Sequence, residues 1–191
     1  MKSLAATNNA HKLVELRQIL EPHGITVYSA KEMGGISDVV EDADTFEGNA
    51  AKKAIETAKE KNMIVFADDS GLAVDALNGE PGIYSARYAP TDAERMGKVL
   101  TKLEDKDSRR AKFVCVIALA SPEGLIGTAR GEVLGTIIDA PRGEHGFGYD
   151  PIFSPNGYTE TFAELGEEIK NSLSHRKNAL EKALAQGLFT F

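Results

Sequence analysis

The sequence alternates between short apolar runs typical of buried strands and longer stretches whose apolar residues recur at helical spacing. The run Phe113–Ala120 is rich in Phe, Val and Ile and predicts a central strand. After it, Leu125–Ile138 predicts one long or bent strand, kinked at Gly131 and Gly135. Strands outnumber what a simple βαβ alternation would contain. The pattern therefore predicts an α/β fold with a mixed sheet rather than a purely parallel one.

The other elements are predicted from apolar spacing, capping residues and turn residues. They are a strand at 4–6, a helix containing 13–20, a strand at 25–28, a helix opened by a capping box at 44–47, a strand at 63–67, a hairpin formed by 72–77 and 83–88, a helix opened by Thr91 and Glu94, and a last helix at 175–186. No repeat, low-complexity tract or linker divides the sequence. We therefore expect a single domain over residues 1–191.

Charge and composition exclude several classes of function. The 191 residues carry 22 Lys and Arg against 29 Asp and Glu, a net charge of −7, so we expect no nucleic-acid or anionic-membrane partner. A compact anionic ligand is still compatible with this charge, because a few basic residues in one site outweigh the total. The longest apolar run is far too short to span a membrane. The single cysteine, Cys115, permits no internal disulfide and favours a reducing compartment, and with no signal-peptide pattern we expect a cytoplasmic protein.

A polar turn between the first strand and the first helix is the first candidate binding site. It consists of Thr7, Asn8, Asn9, Ala10, His11 and Lys12. Free backbone N–H groups at a helix start favour phosphate, and the Lys12 charge opposes the helix dipole and so does not serve helix stability. The alternative is that the turn only caps the helix, because it lacks the glycines of a phosphate-binding loop.

Two adjacent acids form the second candidate site. Asp68, Asp69 and Ser70 follow the strand at 63–67, in the place where loops at the carboxyl ends of strands bind ligands. Neighbouring carboxylates repel each other, and Mg²⁺ relieves that repulsion because it prefers carboxylates together with phosphate oxygens. A simple turn is the alternative. Glu41, from an acidic stretch at 41–44, would complete a metal site.

Two further segments carry groups that fit a nucleotide base. A glycine-rich stretch contains Phe147 and Tyr149, which are able to stack on a flat ring, although a tight loop with core aromatics explains them as well. Lys170, His175 and Arg176 surround a predicted helix start, where positive charge indicates an anionic or carbonyl partner. Together, the four candidates supply the groups needed by a Mg²⁺-dependent enzyme that acts on a nucleoside triphosphate.

Several blocks of residues match a known family in its own order. They are Thr7-x-Asn9-x-x-Lys12, Thr45-Phe46-Glu47-Gly48-Asn49-Ala50-x-x-Lys53-Ala54, Ala67-Asp68-Asp69-Ser70-Gly71-Leu72, Pro81-Gly82-Ile83-Tyr84-Ser85-Ala86-Arg87-Tyr88, Phe147-Gly148-Tyr149-Asp150-Pro151 and Lys170-x-x-x-Ser174-His175-Arg176. On these residues the chain resembles the inosine triphosphate pyrophosphatase (Ham1-like) family. Members of that family hydrolyse non-standard purine nucleoside triphosphates such as dITP, ITP and XTP to the monophosphate and pyrophosphate.

The resemblance implies a fold, an assembly and a set of site residues. The fold would be a long, curved mixed sheet flanked by helices, with two lobes and an active-site cleft between them, in a homodimer. Asp69 would be both the general base and a Mg²⁺ ligand, with Glu41 and Asp68 as further ligands. The purine nucleoside triphosphate would be bound by Thr7, Asn8, Asn9, Ala10, His11, Lys12, Lys53, Ser70, Phe147, Gly148, Tyr149, Asp150, Lys170, His175 and Arg176.

Two other functions stay open on the sequence alone. One is a Maf-like pyrophosphatase, which performs the same type of reaction on pyrimidine or methylated nucleotides. The other is a sensor that binds a purine triphosphate without hydrolysing it. The acids Asp68 and Asp69 beside a phosphate-binding turn favour an enzyme over a sensor, and turnover with Mg²⁺ separates the two.

Overall fold

The computed structural model describes residues 2–190. Its strands are β1 (Lys2–Ala5), β2 (Thr26–Tyr28), β3 (Val65–Val74), β4 (Arg110–Ser121), β5 (Gly124–Ile137) and β6 (Phe153–Pro155). Its α-helices are α1 (Ala10–Leu20), α2 (Phe46–Lys61), α3 (Asp92–Leu103), α4 (Phe162–Leu173) and α5 (His175–Ala185). The strands form one sheet in the order β2-β1-β3-β4-β5-β6. Strand β1 pairs in parallel with β2 and β3, whereas β5 and β6 are antiparallel, so the predicted mixed α/β sheet is confirmed.

The described chain divides into two compact units. The first contains the residues up to Asp69, residues 115–131 and the residues from Arg176 onward; the second contains 70–114 and 132–175. The three longest strands, β3, β4 and β5, each continue from one unit into the other. That the units act as one domain over residues 1–191 stays a prediction.

The core of the first unit fixes helix α1 against the sheet. Leu16 and Leu20, one helical turn apart on α1, are buried in the same apolar cluster as Phe66 of β3. The Phe66 ring meets the Phe189 ring edge to face, with centroids 5.8 Å apart. Cys115 of β4 is also buried there, and burial raises the pKa of its thiol well above the usual range. This apolar cluster therefore fixes the positions of α1 and β3, which both carry candidate site residues.

The core of the second unit is built around stacked aromatic rings. Phe113 lies 4.6 Å from Phe153 between ring centroids, and Phe153 lies 5.4 Å from Phe162. The His175 ring stacks on Phe113 at 5.0 Å and 16°. Helix α3 adds its apolar stripe, which includes Val99, to the same cluster. This packing holds the start of α4 and the end of the predicted base-binding segment.

The prediction that the third strand ends at residue 67 and is followed by a loop is wrong. Strand β3 continues from Val65 through Asp68 and Asp69 to Val74, so both acids lie inside the strand. The strand continues because neighbouring Lys and Arg side chains neutralise the buried charge of Asp68, as described below. Sequence spacing alone did not reveal these partners, which come from distant parts of the chain.

Three further predictions need correction. Residues 82–87 form a 3₁₀ helix and not a strand, because the Leu72 N–H donates to the Ser85 hydroxyl (2.9 Å) instead of to a hairpin partner. Helix α2 begins one residue later than expected, with Thr45 as its N-cap accepting from the Gly48 N–H at 3.0 Å. Two elements were not predicted from the sequence: the short strand β6 and helix α4. Helix α4 begins after a capping box at Thr161 and contains non-helical backbone at Gly166.

Candidate active site

The polar turn before α1 is capped by its own side chains. Asn9 is the N-cap, and its Oδ1 accepts from the N–H groups of His11 (3.0 Å) and Lys12 (3.3 Å). The Thr7 hydroxyl accepts from the Asn9 N–H at 3.1 Å. The N–H groups of Asn9, His11 and Lys12 are therefore not free as expected, because Thr7 and Asn9 accept their hydrogen bonds. Asn8, Asn9, Ala10 and His11 are solvent-exposed, and phosphate binding by this turn stays a prediction.

Asp68 is surrounded by positive charge. Its Oδ2 lies 2.8 Å from Lys12 Nζ and 3.5 Å from Arg176 Nη2, and Lys53 Nζ donates to its backbone carbonyl at 2.7 Å. Burial alone would raise the pKa of this carboxyl, but the charges of Lys12, Arg176 and Lys53 together hold it well below its usual range. Asp68 is therefore a permanently charged residue that links α1, α2 and α5 to strand β3.

The surroundings of Asp69 raise the pKa of its carboxyl instead of lowering it. Its side chain is buried, and within residues 2–190 its Oδ2 has no hydrogen-bond partner. Burial raises the pKa of Asp69 to about 6; Lys53 lowers it, and the negative charge of Glu41 raises it further. A buried carboxylate oxygen without a donor is costly unless a proton, a cation or a bound water satisfies it. Of the two acids, Asp69 is therefore the one whose carboxylate is available to bind a proton, a cation or a water molecule.

Glu41 and Lys53 extend the cluster around Asp69. Lys53 Nζ, on α2, lies 2.5 Å from Glu41 Oε1, and both side chains are largely buried. Burial lowers the pKa of Lys53, but the charges of Asp68, Glu41 and Asp69 outweigh burial and raise it, so Lys53 stays charged. A cavity of about 260 Å³ opens beside these residues. It is lined by Ala6, Thr7, Asn8, Asn9, Ile36, Ser37, Asp38, Val39, Glu41, Lys53 and Thr57.

The acids present fit a hard cation only in part. Over residues 2–190, no three His, Cys, Asp or Glu side chains come together closely enough to hold a metal ion by themselves. Asp68, one predicted ligand, is engaged by Lys12 and Arg176. The unpartnered oxygen of Asp69 and the carboxylate of Glu41 are the remaining donors, and Mg²⁺ completes such sparse protein ligation with water and phosphate oxygens.

Arg176 belongs to a buried ionic network in the first unit. Its side chain is 1% exposed, and the guanidinium pairs with Glu15 through Nη1 and with Asp68 through Nη2. Burial would lower the pKa of Arg176, but these two acids raise it. Arg176 was predicted to bind the nucleotide base, and its partner Glu15 was not predicted from the sequence. The available signal was an acid next to Leu16 on the apolar face of α1.

The predicted base-binding residues of the second unit come together around Asp150. Asp150 is 3% exposed, and its Oδ2 accepts from the Phe147 N–H (3.0 Å) and pairs with Lys170 Nζ (2.5 Å). The Lys170 ammonium also lies 4.3 Å from the centroid of the Phe147 ring. The structure therefore assembles an aromatic ring, a charged donor and a carboxylate from segments 20 residues apart.

Two other predicted base-site residues have structural roles. The Tyr149 hydroxyl donates to the Ser85 carbonyl at 2.8 Å, and burial raises the pKa of Tyr149 well above the usual range. Tyr149 is therefore held in the core, which leaves Phe147 as the partly exposed ring of the pair. His175 is buried, and its ring stacks on Phe113.

The chain passes from one unit to the other at Asp69–Ser70 and at His175–Arg176, and the residues on either side of both boundaries are predicted site residues.

Comparison with known proteins identifies the family. The model of the Ham1 family matches residues 3–186. The chain belongs to the Ham1 family. The resemblance inferred from the motifs is confirmed.

Relatives and solved structures of this family resemble the chain over nearly its whole length. It is 49% identical over 189 residues to a dITP/XTP pyrophosphatase of Desulforamulus reducens, covering 96% of this chain and 94% of the relative. It is 45% identical to the dITP/XTP pyrophosphatase of Bacillus subtilis, covering 95% and 94%. A HAM1 protein from Coxiella burnetii has a TM-score of 0.90 at 41% identity, with both chains fully covered. The Staphylococcus aureus Ham1 protein gives 0.87 at 43% identity, covering 98% and 99%.

None of the helices within residues 2–190 of this Ham1-family chain combines the length and the apolar character needed to cross a bilayer. The expectation of a cytoplasmic protein stays a prediction.

Proposed function

We propose that this chain is a Mg²⁺-dependent pyrophosphatase that hydrolyses dITP, ITP, dXTP and XTP to the monophosphate and pyrophosphate, and so removes them from the nucleotide pool. The observation that carries the proposal is the unpartnered, buried Oδ2 of Asp69 within a cluster of Lys12, Lys53 and Glu41. The names of relatives, dITP/XTP pyrophosphatase at 45–49% identity, support the substrate class.

The metal would be held by Asp69 and Glu41, with the triphosphate supplying further oxygens. When bound, Mg²⁺ neutralises phosphate charge and lowers the pKa of a coordinated water. Asp68 keeps Lys12 and Arg176 in place through its ion pairs rather than binding the metal.

The residues of the chain position water and neutralise charge. Asp69 accepts a hydrogen bond from the attacking water, and its pKa of about 6 in the metal-free protein already leaves it deprotonated at neutral pH. Lys12 and Lys53 offer positive charge to the phosphates. The polar turn Thr7–Lys12 offers hydrogen bonds to them through its exposed polar side chains. Water adds at the α-phosphorus and gives up a proton through Asp69 to the solvent, the bond from the α-phosphorus to the oxygen bridging the α- and β-phosphates breaks, and pyrophosphate leaves with that oxygen.

The second unit would select the base. Phe147 stacks on the purine, and Lys170 donates to the 6-keto oxygen, because an ammonium has three donors and Asp150 accepts one of them. Adenine places its own 6-amino donor at that position, which leaves a donor without a partner. Ser70, Gly148, Tyr149 and His175 complete and support the site. The two units act as one domain, in a cytoplasmic homodimer.

A panel of triphosphates with separate detection of pyrophosphate and orthophosphate tests this function. ITP, dITP, XTP, ATP, GTP and a methylated pyrimidine triphosphate are each incubated with purified protein and Mg²⁺, with EDTA as the control. We expect pyrophosphate from the first three, with kcat/KM at least about tenfold above that for ATP, since an unpaired buried donor costs about 1–3 kcal/mol. Orthophosphate release, a preference for the pyrimidine, or binding without turnover contradicts the proposal.

A further inference from the structure

The segment that carries Phe147 is anchored by a residue outside it. We define the base loop as residues 146–150; Gly146 and Gly148 in it have left-handed backbone, with φ of 77° and 64°. Inside the loop, Asp150 holds the Phe147 N–H at 3.0 Å. From outside, Asp92 Oδ2 accepts from the Gly148 N–H at 2.9 Å. This bond fixes the backbone next to the Phe147 ring.

The Asp92 carboxylate is oriented by a second contact. Its Oδ1 accepts from Arg95 Nη1 at 2.7 Å, one turn further along α3. Arg95 is itself held, because its Nε donates to the Ala89 carbonyl at 2.8 Å. One oxygen of Asp92 therefore points to Arg95, and the other is aimed at the Gly148 N–H.

Helix capping does not explain where this carboxylate points. An acid in the first turn of a helix is favoured by the dipole wherever its side chain points. The capping box of α3 is already formed by Thr91 and Glu94, whose side chains accept from each other's N–H groups at 3.2 and 3.0 Å. The contact of Asp92 with Gly148, 56 residues away, is thus additional to what the helix needs. Hydrogen bonds to a charged acceptor are about twice as strong as neutral ones.

We propose that Asp92 is a positioning residue for base selection, which keeps the Phe147 ring next to Lys170 by holding the Gly148 amide. The inference rests on the proposed function for its enzymatic consequence. Asp92 acts on the base loop and not on the phosphates, so its loss weakens substrate binding and discrimination more than bond cleavage.

Amide exchange tests the anchoring without any turnover. Hydrogen–deuterium exchange at Gly148 is measured in nucleotide-free parent, Asp92→Ala, Asp92→Asn and Glu94→Ala. Loss of a charge-assisted hydrogen bond predicts exchange about tenfold faster or more in Asp92→Ala. Asp92→Asn keeps an oxygen acceptor and lies between Asp92→Ala and the parent. Glu94→Ala removes the capping partner on the same turn and leaves Gly148 exchange unchanged.

Kinetics of the same variants test the consequence for the substrate. We expect KM for ITP to rise about 5- to 30-fold in Asp92→Ala, while kcat changes by less than about threefold. This rise in KM corresponds to the loss of about 1–2 kcal/mol of binding free energy. The ITP-over-ATP ratio falls, and Asp92→Asn restores most of both. Parent-like Gly148 exchange in Asp92→Ala, or an equal rise of KM in Glu94→Ala, overturns the positioning role. Absence of turnover in the parent overturns only the proposed function.

Discussion

Asp68 and Asp69 are adjacent in strand β3, and the carboxylate of Asp68 is ion-paired with Lys12 and Arg176. Asp68 Oδ2 lies 2.8 Å from Lys12 Nζ, whereas Oδ2 of Asp69 is buried and has no hydrogen-bond partner among residues 2–190. Successive strand residues point to opposite faces, so the two carboxylates meet different surroundings. Their pKa values accordingly shift in opposite directions, downward for Asp68 and upward for Asp69.

Replacing Asp69 by Asn tests its role in turnover. Asp69→Asn keeps the shape but removes the negative charge that accepts from water and would bind Mg²⁺. We expect turnover of ITP to be lost while ITP binding, measured by calorimetry, is retained. Activity within a few-fold of the parent would remove Asp69 from the mechanism.

The raised pKa of Asp69 also predicts how stability depends on pH without metal. The carboxyl titrates near pH 4 in the unfolded chain and at about pH 6 in the folded protein, so the folded state binds the proton more tightly. Protonation of Asp69 therefore stabilises the folded state below pH 4, and this stabilisation is lost as the pH rises to about 6. In EDTA, Asp69→Asn should therefore exceed the parent in stability by roughly 1–3 kcal/mol at pH 8, and the difference should shrink toward pH 4. Urea titrations measure it; a constant difference would contradict the pKa.

Glu41 and Asp42 form a matched pair for testing metal binding. Glu41 lies by Lys53 in the buried cluster, whereas the Asp42 carboxylate is exposed and pairs with Lys52 at 2.7 Å. We expect Glu41→Gln to raise the Mg²⁺ concentration for half-maximal activity by about tenfold or more, because a hard cation loses a charged oxygen ligand. Asp42→Asn should leave it unchanged. Equal Mg²⁺ requirements in both variants would exclude Glu41 as a ligand.

The buried pair of Arg176 and Glu15 predicts a strongly non-additive mutant cycle. Arg176→Ala leaves Glu15 and Asp68 without their shared cation, which typically costs about 3–5 kcal/mol of unfolding free energy. Glu15→Gln alone should cost less, because Arg176 retains Asp68. The double variant should be more stable than the sum of the single losses predicts. Urea denaturation of all four proteins measures the coupling; additivity would show that the pair contributes nothing.

The sequence predicted local features better than long-range partners. The spacing of Leu16 and Leu20 and the capping box of Thr91 and Glu94 depend on neighbouring residues, and both appear as expected. The continuous strand through Asp69 was missed because the cations that make it tolerable come from α1, α2 and α5. The Gly148 contact of Asp92 was missed for the same reason, since 56 residues separate the two.

The unreactive thiol of Cys115 simplifies fluorescence labelling of this protein. It is buried and its raised pKa keeps it protonated, so thiol-directed dyes have no native target while the fold is intact. Cysteines introduced at exposed Val14 in the first unit and Tyr84 in the second can therefore carry a donor and an acceptor fluorophore without removing Cys115. Energy transfer between the dyes would then record, on single molecules, whether nucleotide changes the separation of the two units.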